Sequence, residues 1–221
     1  MQMTHSEENY LKVIYHLNGA SHKGVNTNAI ALMIETKASS VTDMLKKLAE
    51  KELVDYQKYQ GVTLTDKGLH TAKMIIRKHR LWEVFLVNKL GFAWDEVHDL
   101  AEELEHIKSE KLTDKLDEFL DFPAFDPHGD PIPNKNGEIK WIHELLLSEA
   151  ELETAYLFVG VKNSSTEFLQ YLDKQNIGLG STIKIISKEE FDASLHIKIE
   201  DRNLMISNKI AENLFIKPKQ L

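Results

Sequence analysis

The sequence predicts a mainly α-helical chain in three parts: short helices and a hairpin near the N-terminus, a long helical middle, and a small β-barrel at the C-terminus. Three observations carry this. Apolar residues recur at helical spacing through the first 50 residues and again from about 69 to 120. Pro123, Pro127, Gly129, Pro131 and Pro133 then crowd the stretch from Phe122 to Pro133, a rigid, turn-rich connection. From about Glu151 the pattern changes to short β-prone runs punctuated by Gly, Asp and Asn.

Taken in order, Ser6 is the expected N-cap of a first helix, with Glu7 and Glu8 in its first turn and Tyr10, Leu11, Ile14, Tyr15 and Leu17 on its apolar face. After a polar break ending at Gly24, Asn26 or Thr27 caps a short helix containing Ile30, Ala31 and Ile34. A second helix follows from about Ala38 to Lys51 and buries Val41, Met44, Leu45 and Leu48. Leu53 to Leu64 reads as a hairpin around a Lys58-Tyr59-Gln60-Gly61 turn, and Thr65-Asp-Lys-Gly68 opens a long helix. Two short helices, a hairpin and a further helix make a winged helix-turn-helix. Its second helix exposes Ser39, Ser40, Thr42, Asp43, Lys46 and Lys47, chemistry suited to base edges and phosphates, and Lys37 and Lys58 add phosphate contacts.

Charge is distributed to match. The net charge is -8, yet residues 1 to 80 carry 12 Lys+Arg against 8 Asp+Glu, whereas residues 81 to 221 carry 15 against 27. A local basic surface is what DNA phosphates require, so the first third can bind DNA while the remainder stays acidic. The 42% hydrophobic and 28% charged content is that of a globular protein, and the absence of any apolar stretch near ~18 residues predicts no membrane partner. The N-terminal Met1-Gln-Met-Thr-His-Ser-Glu-Glu lacks a secretory signal's basic and apolar regions, which implies a cytoplasmic address. Without cysteine, any metal site must use nitrogen and oxygen.

The central helices supply such donors. Within Leu81-Trp-Glu-Val-Phe-Leu-Val87, a block apolar on more than one face predicts a dimer interface. His79, just before it, and Glu83, within it, are spaced i, i+4 and share a helix face. On the next helix His98, Glu102, Glu105 and His106 fall within about 100° of one another. With no Lys or Arg among them on that stripe, clustered carboxylates and imidazoles repel unless a cation sits between them, which predicts a metal site. His5, His16, His22, His70, His128 and His196 stand isolated and read as ordinary residues. No Gly-x-Ser-x-Gly elbow, His-Glu-x-x-His motif or Gly-rich phosphate loop supports a catalytic reading, and no small-molecule substrate is implied.

The tail holds the β-type runs Thr154–Gly160, Ser181–Ile186, Leu195–Ile199 and Asn203–Ile206, with Thr166–Leu172 at helical spacing. A small barrel with one helix is expected there.

At this point the sequence resembles the DtxR/MntR family, the diphtheria-toxin-repressor type of iron- or manganese-dependent transcriptional regulator. The resemblance rests on Glu8-Asn-Tyr-Leu-Lys-Val-Ile-Tyr15, Ser39-Ser-Val-Thr-Asp-Met-Leu45 with Leu53-Val54, Leu64-Thr-Asp-Lys-Gly68, Arg77-Lys-His-Arg80, Val97-His98, Glu105-His106 and Pro127-His-Gly-Asp-Pro-Ile-Pro133. It implies a homodimeric repressor of operator DNA with a winged helix-turn-helix domain over 1–68, a helical metal-binding and dimerisation domain over 69–145, and an SH3-like domain over 151–221. It further implies two or more ions per subunit. The family's ancillary site matches His79, Glu83 and His98, completed by Glu167 and Ser164 of the last domain. The primary site matches Glu102, Glu105, His106 and Asn9, for which Glu8 is the alternative. Iron-responsive members carry sulfur at the positions of Asn9 and Glu102; manganese-responsive members carry an acidic residue at the latter, as here. An all-oxygen and nitrogen donor set favours Mn²⁺ over Fe²⁺ as corepressor. A metalloenzyme using the same donors, and a metal-binding scaffold whose helix-turn-helix binds protein, are the alternatives.

Overall fold

The computed structural model describes residues 3–18, 24–57, 60–140 and 145–219. The chain divides into two compact units: Met1–Trp82 with Ala101–Phe119 and Pro133–Ile139, and Glu83–Leu100 with Leu120–Ile132 and Lys140–Leu221.

The first unit opens with α1 (His5–Asn18), α2 (Thr27–Met33) and α3 (Ala38–Glu50), followed by the antiparallel pair β1 (Val54–Gln57) and β2 (Gly61–Leu64). Thr4, not Ser6, starts α1: the Thr4 hydroxyl accepts from the Glu7 N–H at 3.3 Å, and the Glu7 carboxylate accepts from the Thr4 N–H at 2.8 Å. This reciprocal capping box needs Glu three residues after the cap, which Thr4 has and Ser6 lacks. Asn26 caps α2 by accepting from the Asn28 N–H. Leu11, Ile14, Ile30, Val41, Leu45, Leu48 and Val62 are fully buried in one core, each adding roughly 1.5–3 kcal/mol of burial energy. Val25 adds a bridge to Val62, so three segments meet at the hairpin, a pairing that one isolated valine gives no pattern to reveal. Of the expected hairpin turn, Lys58 and Tyr59 lie outside the described residues.

Helix α4 (Asp66–Leu90) begins where the Thr65 hydroxyl accepts from the Gly68 N–H at 3.0 Å. Gly68 packs so closely against the hairpin that a Cβ there would lie 1.8 Å from the Leu53 carbonyl oxygen. α6 (Glu110–Phe119) is held to α4 by the buried Arg77, which donates to Asp114 at 3.0 Å and Asp117 at 2.8 Å. Between them α5 spans Val97–Leu104, shorter than a helix reaching His106. Glu105 N–H still donates to the Ala101 carbonyl, while Ile107 N–H bonds Leu104, so the helix tightens into a turn after Glu105.

The second unit contains a six-stranded antiparallel sheet of order β3-β8-β4-β5-β6-β7. Its elements are β3 (Leu145–Leu146), a 3₁₀ turn (Leu147–Glu149), β4 (Ala155–Val161), α7 (Thr166–Lys174), β5 (Thr182–Lys188), β6 (Leu195–Ile199), β7 (Arg202–Ile206), α8 (Asn208–Ala211) and β8 (Leu214–Pro218). The four expected strands and the helix are present. The last strand was not anticipated, although its alternation buries Leu214 and Ile216 in the same core as Phe158, Leu172 and Ile197. Among the described residues no ladder joins β7 to β3, and the pairing shown is that of a six-stranded sheet domain. No helix among the described residues is long and apolar enough to cross a membrane.

Candidate metal centre and DNA-reading face

Two groups of titratable side chains emerge, one in each unit. In the first, α1 presents Glu8 and Lys12 one turn apart, and both reach residues about ninety positions away. Glu8 Oε2, on a buried side chain, lies 2.6 Å from Nδ1 of the partly buried His106. His5 stacks on the His106 ring, centroids 4.2 Å apart and planes within 5°. Lys12 Nζ donates to Glu102 Oε1 at 2.9 Å and to Glu105 Oε1 and Oε2 at 2.9 and 3.0 Å. His79 Nδ1 lies 2.7 Å from Glu105 Oε2. The Glu105 side chain is wholly inaccessible. Burial pushes its carboxyl up, but His79 and Lys12 outweigh that and hold it below the usual carboxylate range.

The expectation that no Lys or Arg neutralises these carboxylates is therefore wrong: Lys12 does so from another helix. The stripe considered one helix alone, and spacing along α5 carries no information about α1.

The second group comprises Glu83, Asp126 and His128, all buried, whose ligand atoms lie within 4.8 Å of one another. His128 is fixed by its surroundings. Its Nε2–H donates to the Trp94 carbonyl at 2.8 Å, its own carbonyl accepts from Val161 N–H, and its N–H donates to Asp126 Oδ1 at 2.8 Å. Gly129, at φ +91°, sits so close to β4 that a Cβ would be 2.2 Å from the Val159 carbonyl oxygen. The Nε2 bond sets the tautomer and leaves Nδ1 facing Glu83 Oε2 at 3.7 Å. Burial disfavours the charged imidazole, yet the Glu83 carboxylate, helped by Asp126 and the Trp94 carbonyl, pushes its pKa up to about 9. Reading His128 as an ordinary residue thus misses a buried donor. The signal available in sequence was Asp126-Pro-His128-Gly, two donors two residues apart in a rigid segment.

His98 Nδ1 also approaches Glu83, 3.5 Å from Oε1, although its side chain is 54% exposed. His79 precedes Glu83 by one turn of α4. Glu167 and Ser164 are exposed, and Glu167 belongs to neither of the metal-competent groups found among the described residues. Asn9 Oδ1 is buried with no hydrogen-bond partner among the described residues. An orphaned buried carbonyl is costly unless something electropositive reaches it. Together with all-oxygen and nitrogen donors, this makes the residues fit a hard divalent cation.

On α3, Lys37 at the N-cap and Ser39, Ser40, Asp43, Lys46 and Lys47 are exposed. Thr42 is half-buried and its hydroxyl donates to the Ala38 carbonyl at 3.0 Å, while Lys46 pairs with Asp43 at 3.4 Å. Lys58 lies outside the described residues.

A winged helix-turn-helix whose first helix shares a cluster of carboxylates and imidazoles with the central helices defines a metal-responsive DNA-binding regulator. Family models match along the chain: the iron dependent repressor N-terminal DNA binding domain over residues 2–62, the iron dependent repressor metal binding and dimerisation domain over 65–134, and the FeoA domain over 145–218. The HTH-type transcriptional regulator MntR of Oceanobacillus iheyensis is 33% identical over 120 residues, 54% of this chain and 80% of that protein. The iron-dependent repressor IdeR of Mycobacterium tuberculosis is 31% identical over 132 residues, 60% of this chain and 57% of its own. A solved manganese-dependent transcriptional repressor in complex with manganese superposes with TM-score 0.85 at 34% identity, covering 96% of this chain and all of the other. The chain belongs to the DtxR/MntR family of metal-dependent transcriptional regulators, which are not enzymes.

Proposed function

We propose that the chain is a manganese-preferring repressor that binds operator DNA as a cytoplasmic homodimer and controls metal homeostasis, with Fe²⁺ as the other candidate effector. The observation that carries this is the first cluster: the helix that opens the DNA-reading unit meets, through Glu8 and Lys12, the carboxylates and imidazole at the end of α5. Domain limits of 1–68, 69–145 and 151–221 are proposed, close to the spans of the matching family models.

Asn9, Glu102, Glu105 and His106 would hold one ion. Glu8 engages Nδ1 of His106, the usual position of a carboxylate that orients an imidazole for ligation through Nε2. Asn9 has the unsatisfied oxygen. This favours Asn9 as ligand and Glu8 as its neighbour's positioning residue. Glu83, with His79 and His98, would hold the second ion, and Asp126 and His128 join that set on the geometry above. Glu167 and Ser164 gain no such support. A bound cation supplies the positive charge that lets these acidic groups stay close. The chain's own part is to present neutral Nε2 and carboxylate oxygen from α1 and α5, so that the position of α1, and α3 with it, depends on occupancy. α3 then offers Ser39, Ser40, Thr42 and Asp43 to bases and, with Lys37 at its N-cap, Lys46 and Lys47 to phosphates, to which the sequence reading adds Lys58. Hard donors and the names of the similar solved manganese regulators both support manganese.

The test is retention of fragmented source-genome DNA on the purified protein with excess chelator, with Mn²⁺, and with anaerobic Fe²⁺. Discrete fragments held with metal alone are expected, more of them with Mn²⁺; equal retention in chelator overturns the reading.

A further inference from the structure

We propose that Lys12 is a resident counter-ion of the first cluster, competing with the divalent cation for the oxygens of Glu102 and Glu105 and so setting how much metal the regulator needs. The proposal rests on Glu105 and His106 being ligands, as argued above.

Three contacts of 2.9–3.0 Å bind one ammonium to three oxygens on two carboxylates. Both Glu105 oxygens are engaged by Lys12, and Oε2 is engaged by His79 as well. The setting is dry: the Lys12 side chain is 10% exposed and that of Glu105 is 0%. Cations on neighbouring positions around the same oxygens repel more strongly there than in water. A divalent ion that ligates Glu105 must therefore loosen Lys12. Lysine suits that role better than arginine, because its ammonium is a point charge on a flexible four-carbon stem that can swing aside, whereas a guanidinium would grip a carboxylate in a fixed fork. A second cation, Lys78, feels both Glu8 and Glu105 and is itself depressed in pKa by burial. Its Nζ lies 3.5 Å from the Ile107 carbonyl, so the direct contact with Glu102 and Glu105 belongs to Lys12.

The ammonium has two opposed effects. Without metal it keeps Glu102 and Glu105 from repelling each other, which holds the end of α5 against α1. In the presence of metal it is the charge to be displaced, which lowers affinity and raises the threshold concentration.

The experiment uses the full chain, freed of metal by chelation, and counts unbound Mn²⁺ by its electron paramagnetic resonance during titration. Lys12→Leu, which removes the charge and adds no donor, is expected to bind Mn²⁺ at least about tenfold more tightly, equivalent to about 1.4 kcal/mol. Its chelator-treated form is expected to melt below the parent, and Mn²⁺ to raise its Tm by more. Lys12→Arg retains the charge and should bind no tighter than the parent. Parent-like or weaker Mn²⁺ affinity in a folded Lys12→Leu protein overturns the proposal and leaves Lys12 a strut. A second measurement needs no variant: the lysine ¹⁵Nζ resonance of Lys12 should move or vanish as diamagnetic Cd²⁺ saturates the parent, and its persistence unchanged also overturns the proposal. Glu105→Gln and His106→Ala separate the two readings. If neither alters Mn²⁺ binding, the cluster is not a metal centre at all; if both abolish it while Lys12→Leu is neutral, the role of Lys12 alone fails.

Discussion

Glu8 Oε2 stands 2.6 Å from His106 Nδ1, and this contact joins the first helix of the DNA-reading unit to the turn that ends α5. A carboxylate on Nδ1 fixes the ring and leaves Nε2 as the coordinating atom. His5, stacked on a face of the ring, leaves it little freedom to rotate.

From this follows a distinction between Glu8 and its neighbour. Glu8→Gln keeps the shape but removes the charge and should weaken Mn²⁺ binding by about 10–100-fold, whereas His106→Ala should remove binding at this cluster. Titration calorimetry of the two variants checks it; equal losses would make Glu8 a ligand in its own right.

His128 makes the metal-free protein sensitive to alkaline pH. Its pKa in the folded chain, about 9, lies above the ordinary value of 6.5. The stabilisation from the charged ring beside Glu83 is thus complete below about 6.5 and lost as pH rises through about 9. Urea melts of chelator-treated protein between pH 6 and 9.5 should show stability falling across that window, and the fall should shrink in His128→Gln. Metal needs the same ring unprotonated, so affinity at this group should rise over the same range.

Lys46 is exposed on α3 beyond the serines. Lys46→Ala should weaken operator binding and reduce the slope of log affinity against log salt by about one. An unchanged slope removes it from the phosphate contacts.

Gly68 admits no side chain. With a Cβ only 1.8 Å from the Leu53 carbonyl oxygen, Gly68→Ala forces backbone apart and should cost about 2–3 kcal/mol of stability, read as a lower urea midpoint.

The helices and hairpin of the reading unit were legible because each announces itself locally, through apolar period, a capping residue or a turn. The proposed donors His79, Glu83, Glu102, Glu105 and His106 could be picked out for a similar reason, being close in sequence on α4 and along the end of α5. Lys12 was not, since a lysine on an amphipathic helix reads as solvated until its partners some ninety residues away are known. Asp126 and His128 escaped because a proline-rich connection has no period that points its side chains anywhere; backbone contacts with Trp94 and Val161 aim them. β8 escaped because its last residue is a proline, which reads as a strand breaker although an edge of pairing tolerates it.

Glu7 and Glu8 are consecutive yet serve different masters. Glu7 takes the Thr4 N–H and the Lys51 ammonium, the latter at 2.6 Å from just beyond α3, while Glu8 takes His106. Successive residues on a helix point about 100° apart, so α1 is keyed at two angles at once. Turning it to ease one glutamate would misalign the other. The first helix therefore behaves as a keyed shaft, linking the setting of His106 to the end of the reading helix across a single peptide unit.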